Sequence, residues 1–232
     1  MSHQKNNPKM TRLYHFNTRD HAISNILKQR LKIARWDDLN DPFELRNVMP
    51  SEVSEESFDK WRNYSANTLG LLCFSKRYSN PIMWGHYAAN ASGVALGFDV
   101  PESDGLMKVN YCNCFLKPPT KPNDEEFAIA LGSTKAKDWA YEDEVRIFQN
   151  LSDAKCEFQT ATGKFLYFEP FSTSMKLREI LLGVNCKADP STINAMKRYV
   201  ASSVEIYKTE RSQDKYEIVQ GESCRRRDDR FA

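Results

Sequence analysis

Trp139-Ala-Tyr-Glu-Asp-Glu-Val-Arg-Ile-Phe148 is the stretch that says most about this protein. It predicts a strand on which Glu142, Glu144 and Arg146 share one face, because side chains alternate between faces in an extended chain. Buried charges without partners are costly. The simplest interpretation is therefore a solvated, half-exposed face with a Glu144–Arg146 ion pair; the alternative is a functional site. Trp139 is predicted to pack in the core, where it sets the position of the strand.

The length and composition of the chain limit the classes of protein to which it can belong. A chain of 232 residues builds one substantial domain or at most two small ones, and 41% hydrophobic residues are enough for a core. The formal net charge is only +2, from 33 basic and 31 acidic residues, so the composition lacks the strong positive charge typical of nucleic-acid-binding proteins. The sequence has no apolar run of about 18 residues, so no membrane-spanning helix is predicted. The polar start of the chain and the scattered cysteines favour a cytoplasmic protein with reduced thiols.

Short predicted strands outnumber helices and do not alternate strictly with them. This pattern predicts one compact α+β domain over residues 11–222 with antiparallel or mixed sheets, between a flexible leader (1–10) and a polar tail (223–232). Strands are predicted at 13–16, 31–34, 69–75, 94–98, 105–115 (one or two), 142–148, 160–168, 177–183, 204–207 and 216–219. Helices are predicted at 22–28, capped by Thr18 or Asp20, and at 51–68, 83–89, 124–131 and 190–200.

Four blocks, in order along the first two thirds of the chain, resemble a bacterial family of unknown function, the one numbered 2971. They are Leu13-Tyr-His-Phe16; Leu39-Asn-Asp-Pro-Phe-Glu44; Cys73-Phe-Ser75 with Met83-Trp-Gly-His-Tyr-Ala88 and Gly93-Val-Ala-Leu-Gly-Phe98; and Trp139-Ala-Tyr-Glu-Asp-Glu-Val-Arg146. The chain departs from the family at Ala91, where a histidine is usual. That departure removes one candidate polar group.

The order of a histidine near the first strand, an aromatic residue after a serine and a glutamate on a late strand also resembles the ADP-ribosyltransferase fold. This resemblance implies two small, mainly antiparallel sheets, flanked by helices, that form a cleft for NAD⁺. It implies a transferase of bacterial phage defence or toxin type with a nucleic-acid or protein acceptor; no antitoxin is identified. The implied roles are ribose contact for His15 or Tyr14, nicotinamide stacking for Trp84 or Tyr87, and catalysis by Glu142 or Glu144. Ser75, at the end of an apolar strand, can also touch the ribose.

The residue types of the acidic stretch suit that chemistry. Cleavage of the bond between nicotinamide and ribose develops positive charge on the sugar, and a nearby carboxylate stabilises it. A second carboxylate two residues away can orient or deprotonate the acceptor. The resemblance to related Glu-x-Glu strands, in which the second carboxylate acts at the ribose, implies this role for Glu144 and the assisting role for Glu142. Arg146 can pair with a carboxylate or bind the pyrophosphate bidentately.

Each candidate also has a structural interpretation. His15 can satisfy a neighbouring carbonyl, and Ser75 can cap the following helix. Trp84 and Tyr87, three residues apart on a helix, face the same way and more often form core than a cofactor platform. Glu44 follows a strong turn signal, and nothing in the sequence requires it to reach a site.

Three classes of function therefore remain open. The first is the NAD-dependent ADP-ribosyltransferase. The second is a metal-dependent nuclease that uses Glu142, Glu144 and Asp138, although Arg146 stands where a lysine is usual for such enzymes. The third is a non-catalytic binding module whose conspicuous residues are architectural.

Overall fold

The computed structural model describes residues 8–48, 55–102, 105–117, 125–160 and 163–224. This part of the chain is α+β, mostly sheet with few helices. The strands are β1 Met10–Asn17, β2 Arg30–Arg35, β3 Leu69–Ser75, β4 Val94–Pro101, β5 Leu106–Lys108, β6 Asn110–Cys112, β7 Thr134–Ala136, β8 Glu144–Asn150, β9 Lys155–Gln159, β10 Phe165–Pro170, β11 Lys176–Leu182, β12 Glu205–Arg211 and β13 Ile218–Ser223. The α-helices are α1 Arg19–Lys28, α2 Glu55–Thr68, α3 Pro81–Tyr87, α4 Glu125–Gly132 and α5 Pro190–Tyr199, with 3₁₀ helices at Trp36–Asp38 and Lys137–Glu142.

The chain forms two compact units. Unit 1 comprises Met1–Arg30, Phe74–Asp104 and Pro170–Ala232, and unit 2 comprises Leu31–Cys73 and Gly105–Glu169. Most of the predicted leader and tail lie outside the described residues. The single domain predicted over residues 11–222 stays a prediction. None of the helices in the described segments is long and apolar enough to cross a membrane.

Unit 1 is built on a sheet with the strand order β13-β12-β11-β4-β1. The full length of β1 pairs antiparallel with β4, from Met10↔Pro101 to Asn17↔Val94. The β11–β12 pair is parallel, and α5 lies in the connection between these strands, as a parallel crossover requires. One core cluster of this unit contains six buried residues: Tyr14, Trp84, Ala88, Ala95, Leu181 and Ile218.

Capping residues define where the helices of unit 1 begin, several residues earlier than predicted for α1 and two residues earlier for α3. The Thr18 hydroxyl accepts a hydrogen bond from the His21 backbone N–H at 3.4 Å, so Thr18, rather than Asp20, caps α1. In α3, Asn80 is the cap and Pro81 occupies the first turn, where its missing N–H costs nothing. Ser75 therefore does not cap α3.

Unit 2 contains β2 and β3 as an antiparallel pair, with β8 joined to β3 and to β5. β9 and β10 form another antiparallel pair, and β6 pairs with β7 in a small parallel sheet. A core cluster of Trp36, Leu45, Leu71 and Leu131 joins elements that are distant in sequence. Gly132 is needed at the end of α4, because a Cβ there would lie 2.9 Å from the Trp36 ring.

The turn after α3 holds backbone strain. Ala89, Asn90 and Ala91 have φ angles of 47°, 54° and 60°, which place three successive non-glycine residues in the left-handed region. For residues with a Cβ this conformation costs about 1–2 kcal/mol each. The turn is held by backbone bonds such as Ala91 N–H to Trp84 O at 2.9 Å and Asn185 N–H to Ala91 O at 2.9 Å.

Replacing Ala89 by glycine is expected to stabilise the protein. Ala89 is exposed, so the substitution relieves the strain without a loss of packing. After the entropy that glycine costs is subtracted, the melting temperature should rise by about 1–4 °C in thermal unfolding followed by circular dichroism. The control is Ala188→Gly, because Ala188 is outside the left-handed region. That variant should melt lower, and a fall for Ala89→Gly as well would contradict the strain argument.

Candidate functional site

Five charged side chains of unit 2 form a buried group, here called the charge cluster: Glu44, Lys135, Glu142, Glu144 and Arg146. All five are buried, and Arg146 has no exposed surface. They come from the turn after Asp41, from β7, from the end of the second 3₁₀ helix and from β8. Charges are tolerated in such an environment only when they are paired and hydrogen-bonded.

Arg146 lies at the centre of the charge cluster. Its Nε and Nη2 donate to the two carboxylate oxygens of Glu144, both at 3.0 Å, in a bidentate pair. Its Nη2 and Nη1 donate to the two oxygens of Glu44 at 2.5 and 3.1 Å. A further bond from Nη1 reaches the Gly132 carbonyl at 2.8 Å. Five hydrogen bonds thus match the five N–H groups of the guanidinium.

Lys135 is the second cation of the charge cluster. Its Nζ donates to Glu142 Oε2 at 2.6 Å and lies 3.5 Å from Glu144 Oε2 and 3.9 Å from Glu44 Oε1. The same Nζ is 4.6 Å from the ring centroid of Trp139. Burial acts to lower the pKa of Lys135, but the charges of Glu144 and Glu142 outweigh it and raise the pKa. Lys135 is therefore an ammonium ion.

Two neutral groups complete the surroundings of Glu144. Its backbone N–H donates to the Tyr111 hydroxyl at 2.8 Å, and its carboxylate accepts a hydrogen bond from the Cys73 thiol. Burial raises the pKa of Cys73 well above its usual value, with the charge of Glu144 adding to the effect. The thiol is thus a hydrogen-bond donor and not a nucleophile in this arrangement.

Glu144 remains ionised despite its burial. Burial acts to raise its pKa, but the charges of Arg146 and Lys135 and the hydrogen bonds from Arg146 and Cys73 outweigh it and lower the pKa below 4.5. The charge cluster contains three carboxylates and two cations, which gives a formal charge of −1. This charge is carried in an interior where electrostatic interactions are weakly screened.

The structure corrects the predicted acidic strand. Glu142 ends a 3₁₀ helix, and Asp143 has a φ of 46°, so β8 begins only at Glu144. Glu144 and Arg146 share a strand face as predicted, whereas Glu142 joins them through the turn. The face is buried and not solvated: Glu144 is 7% exposed, and the prediction of a half-exposed glutamate is wrong. The predicted Glu144–Arg146 pair is present.

Trp139 differs from its predicted place in the core. It is half-buried on the 3₁₀ helix, where its ring faces the Lys135 ammonium and lies 6.1 Å from the Tyr141 ring. A cation–π contact of this kind contributes about 0.5–2 kcal/mol, less than a fully buried ring would.

The candidates Tyr14 and Trp84 lie in unit 1 and belong to one core cluster. Trp84 is 1% exposed, and its Nε1 donates to the Tyr78 carbonyl at 2.6 Å. The Tyr14 hydroxyl donates to Glu179 at 3.0 Å, and burial raises the pKa of Tyr14. Both side chains are held as parts of the core.

The other unit 1 candidates are His15, Ser75 and Tyr87. His15 is half-buried and contacts the Phe74 ring edge-to-face at 5.7 Å. The buried Ser75 hydroxyl donates to the Arg77 carbonyl at 2.9 Å and accepts from the Arg77 N–H, which forms a tight turn after β3. Tyr87 is half-buried at the end of α3.

The structure therefore brings Glu142, Glu144 and Arg146 together in unit 2 and places the five candidates for NAD⁺ contact (Tyr14, His15, Ser75, Trp84 and Tyr87) in unit 1. Sequence reasoning missed Lys135, which lies in a three-residue strand with no apolar pattern. It noted Glu44 but assigned this residue no part in a functional site. A glutamate just after a turn block is a weak signal, because its partner Arg146 is 102 residues away.

The metal-dependent nuclease would need a metal ion held between these carboxylates. Lys135 and Arg146 already occupy the space between the three carboxylates. Asp138 is exposed on the 3₁₀ helix. Within the described ranges no group of three or more His, Cys, Asp or Glu side chains is arranged to hold a metal ion. The two cysteines that lie closest in sequence, Cys112 and Cys114, contact each other through a hydrogen bond from the Cys112 thiol to the Cys114 carbonyl at 3.0 Å.

Comparison of the chain with protein-family models, curated proteins and solved structures gives no match. The resemblances drawn from the four sequence blocks accordingly stay predictions.

Replacing Arg146 by methionine should destabilise the protein strongly. The substitution leaves two buried carboxylates, Glu44 and Glu144, without their main partner, so the free energy of unfolding should fall by about 3–5 kcal/mol in urea denaturation. Lys60→Ala is the control, because it removes the exposed Glu56–Lys60 pair and should leave the midpoint unchanged. A small effect of Arg146→Met would mean that the charge cluster relaxes into contact with water.

The lowered pKa of Glu144 predicts a pH dependence of stability. Because this pKa is lower in the folded than in the unfolded chain, the ionised carboxylate contributes stability above pH about 4.5. That contribution is lost as the pH falls through the folded-state pKa. Urea denaturation at pH about 7 to 3 should therefore show a steeper acid loss for wild type than for Glu144→Gln. Parallel curves for the two proteins would show that Glu144 does not titrate as described.

Proposed function

We propose that the protein is an ADP-ribosyltransferase-like enzyme that takes NAD⁺ as substrate and acts through the carboxylates of the charge cluster. The observation that carries the proposal is the excess of one buried negative charge, held by partners with defined geometry. In the proposed step the bond between ribose C1′ and the nicotinamide nitrogen breaks, and its electron pair leaves with neutral nicotinamide. The positive charge that develops on the ribose is stabilised by the preorganised carboxylates.

The two carboxylates suit different parts of this reaction. Glu144 is fixed by the planar fork of Arg146 and has a lowered pKa, so it suits charge stabilisation and not proton transfer. Glu142 is held by the flexible ammonium of Lys135 and suits the orientation or deprotonation of the acceptor, whose nucleophile then bonds to C1′. Both carboxylates are buried, so substrate contact requires Lys135 or the segment 137–142 to move.

The same proposal includes the finer assignments implied by the resemblance. These are the ADP-ribosyltransferase-like cleft, a cytoplasmic defence or toxin-type role and a nucleic-acid or protein acceptor. Among the unit 1 candidates, the half-buried His15 and Tyr87 are better suited to contact a ligand than Tyr14, Ser75 and Trp84, which are buried and hydrogen-bonded within the protein.

A second candidate function is a binding module without catalysis. The observation that favours it is the complete internal pairing of Arg146, which uses all five guanidinium N–H groups inside unit 2. In that case the charge cluster is architecture alone.

Substitution of the carboxylates separates the two candidate functions. Purified wild type is expected to release nicotinamide from NAD⁺, measured by chromatography with and without nucleic-acid or protein acceptors. Glu144→Gln and Glu142→Gln should each lower turnover by about 10² or more, because both keep the shape and remove the charge. Since Glu144 is buried and paired, its variant should also melt lower, so rates are compared at temperatures where circular dichroism shows each protein folded.

Asp38→Asn is the matched control for these variants. Asp38 is a carboxylate of unit 2 that accepts hydrogen bonds from Lys32 and Lys164 outside the charge cluster, so its variant should turn over NAD⁺ at the wild-type rate. Equal rates in wild type and both glutamine variants would reject the carboxylate assignment. No consumption of NAD⁺ by folded wild type would leave the binding module as the function.

A further inference from the structure

Unit 2 contains a cavity of about 190 Å³ beside the charge cluster. It is lined by one edge of β7, by the turn that follows β6 and by the turn after Asp41. The lining residues that matter for its chemistry are Phe43, Asn47, Phe115, Thr134, Lys135 and Asp138. Sites for drug-sized molecules occupy about 300–1,000 Å³, so this cavity accommodates one ring and not a whole dinucleotide.

Two aromatic rings lie at the cavity with much of their surface in solvent. Phe43 is 50% exposed and Phe115 is 45% exposed, and their ring centroids are 5.9 Å apart at an interplanar angle of 51°. A pair of exposed phenylalanine rings beside a cavity offers apolar faces on which a flat ligand can stack.

Asn47 supplies the polar feature of the cavity. The residue is 6% exposed, and its Nδ2 donates to the Thr134 carbonyl at 3.2 Å, which sets the orientation of the amide. Its Oδ1 has less than 1 Å² of exposed surface and no hydrogen-bond partner within the described part of the chain. Buried acceptors in native proteins are nearly always satisfied, so this oxygen is a candidate acceptor for a donor on a bound ligand.

We propose that the cavity binds a planar nitrogen heterocycle that carries an amino or amide N–H. The ring stacks on Phe43 and Phe115, and the N–H donates to Asn47 Oδ1 after a small displacement that opens the oxygen to the cavity. Lys135 and Asp138 bring charges of both signs to the lining, so the favoured ligand ring is uncharged. This chemistry has two sources, the amine of a nucleobase and the carboxamide of a nicotinamide compound.

Matched ligands test the hydrogen bond without any change to the protein. Adenosine is compared with purine riboside, which lacks the amine, and nicotinamide with methyl nicotinate, which lacks the amide N–H. Titrations are followed by ¹H–¹⁵N spectra of labelled wild type, where the Asn47 side-chain amide should shift. At least one N–H-bearing ligand should bind at least about tenfold more tightly than its partner, the effect of leaving a buried polar group unpaired.

Matched variants test the stacking. Phe43→Ala and Phe115→Ala should each weaken binding by at least about tenfold, because stacking on an aromatic ring is a major part of such affinity. Phe165→Ala, at an equally exposed phenylalanine of unit 2 that does not line the cavity, should bind like wild type. The variants alter exposed residues, so their melting curves should match wild type.

The binding results identify the source of the ligand and decide whether the site exists. Tighter binding of adenosine than nicotinamide identifies a nucleobase as the source, and the reverse identifies a nicotinamide compound; either supports the site. Binding of neither ligand, equal binding of the matched partners, or wild-type affinity in Phe43→Ala and Phe115→Ala would overturn it. Because binding is measured directly, this result does not depend on whether the protein turns over NAD⁺.

Discussion

The paired guanidinium of Arg146 is the interaction on which unit 2 depends. It joins Glu44 after the turn at Asp41, the Gly132 carbonyl at the end of α4, and Glu144 at the start of β8. The most distant of these partners, Glu44, lies 102 residues from Arg146 in the chain. A buried guanidinium loses its hydration whether or not its partners are in place, so the arrangement is stable only when all partners are present together. Other features of unit 2, such as the tight packing at Gly132 and the left-handed turn at Asp143, deliver groups to this centre.

The same pairing constrains any chemistry at the site. Glu144 cannot both remain in its bidentate pair and take up a proton, because the charge of Arg146 keeps it ionised. In the proposed reaction its contribution is therefore electrostatic. Lys135 is the more adaptable partner, since an ammonium on a flexible stem can release Glu142 without loss of a planar fork. Lys135 also lines the cavity, so the same side chain borders both the charge cluster and the proposed ligand site.

The sequence predicted the strongly patterned elements and the pair on β8, but not the cluster that completes them. The apolar run at β3 and the strand at β4 were predicted closely, because burial on both faces leaves a continuous apolar pattern. Glu142 was wrongly placed on the strand, because the alternating sequence pattern continues through a point where the backbone turns. The turn is at Asp143, and aspartate tolerates the left-handed conformation that ends the 3₁₀ helix. Lys135 and Glu44 could not be assigned, because nothing in a local pattern reports a partner brought in by tertiary structure.

Burial alone does not distinguish the candidate site, as unit 1 shows. There Glu179 is also buried, and it accepts hydrogen bonds from Arg12 at 2.6 Å, Tyr14 at 3.0 Å and Gln220 at 3.0 Å. Ion pairs of Asp99 with Arg12 and Arg178 extend this network, so two carboxylates face two guanidinium groups and the formal charges cancel. In unit 2 three carboxylates face two cations, and the excess charge lies where solvent screens it poorly. A balanced network needs only a structural explanation. An unbalanced network is held at a cost to folding, and the reaction proposed above would give that cost a function, because the excess negative charge would stabilise the positive charge that develops on the ribose.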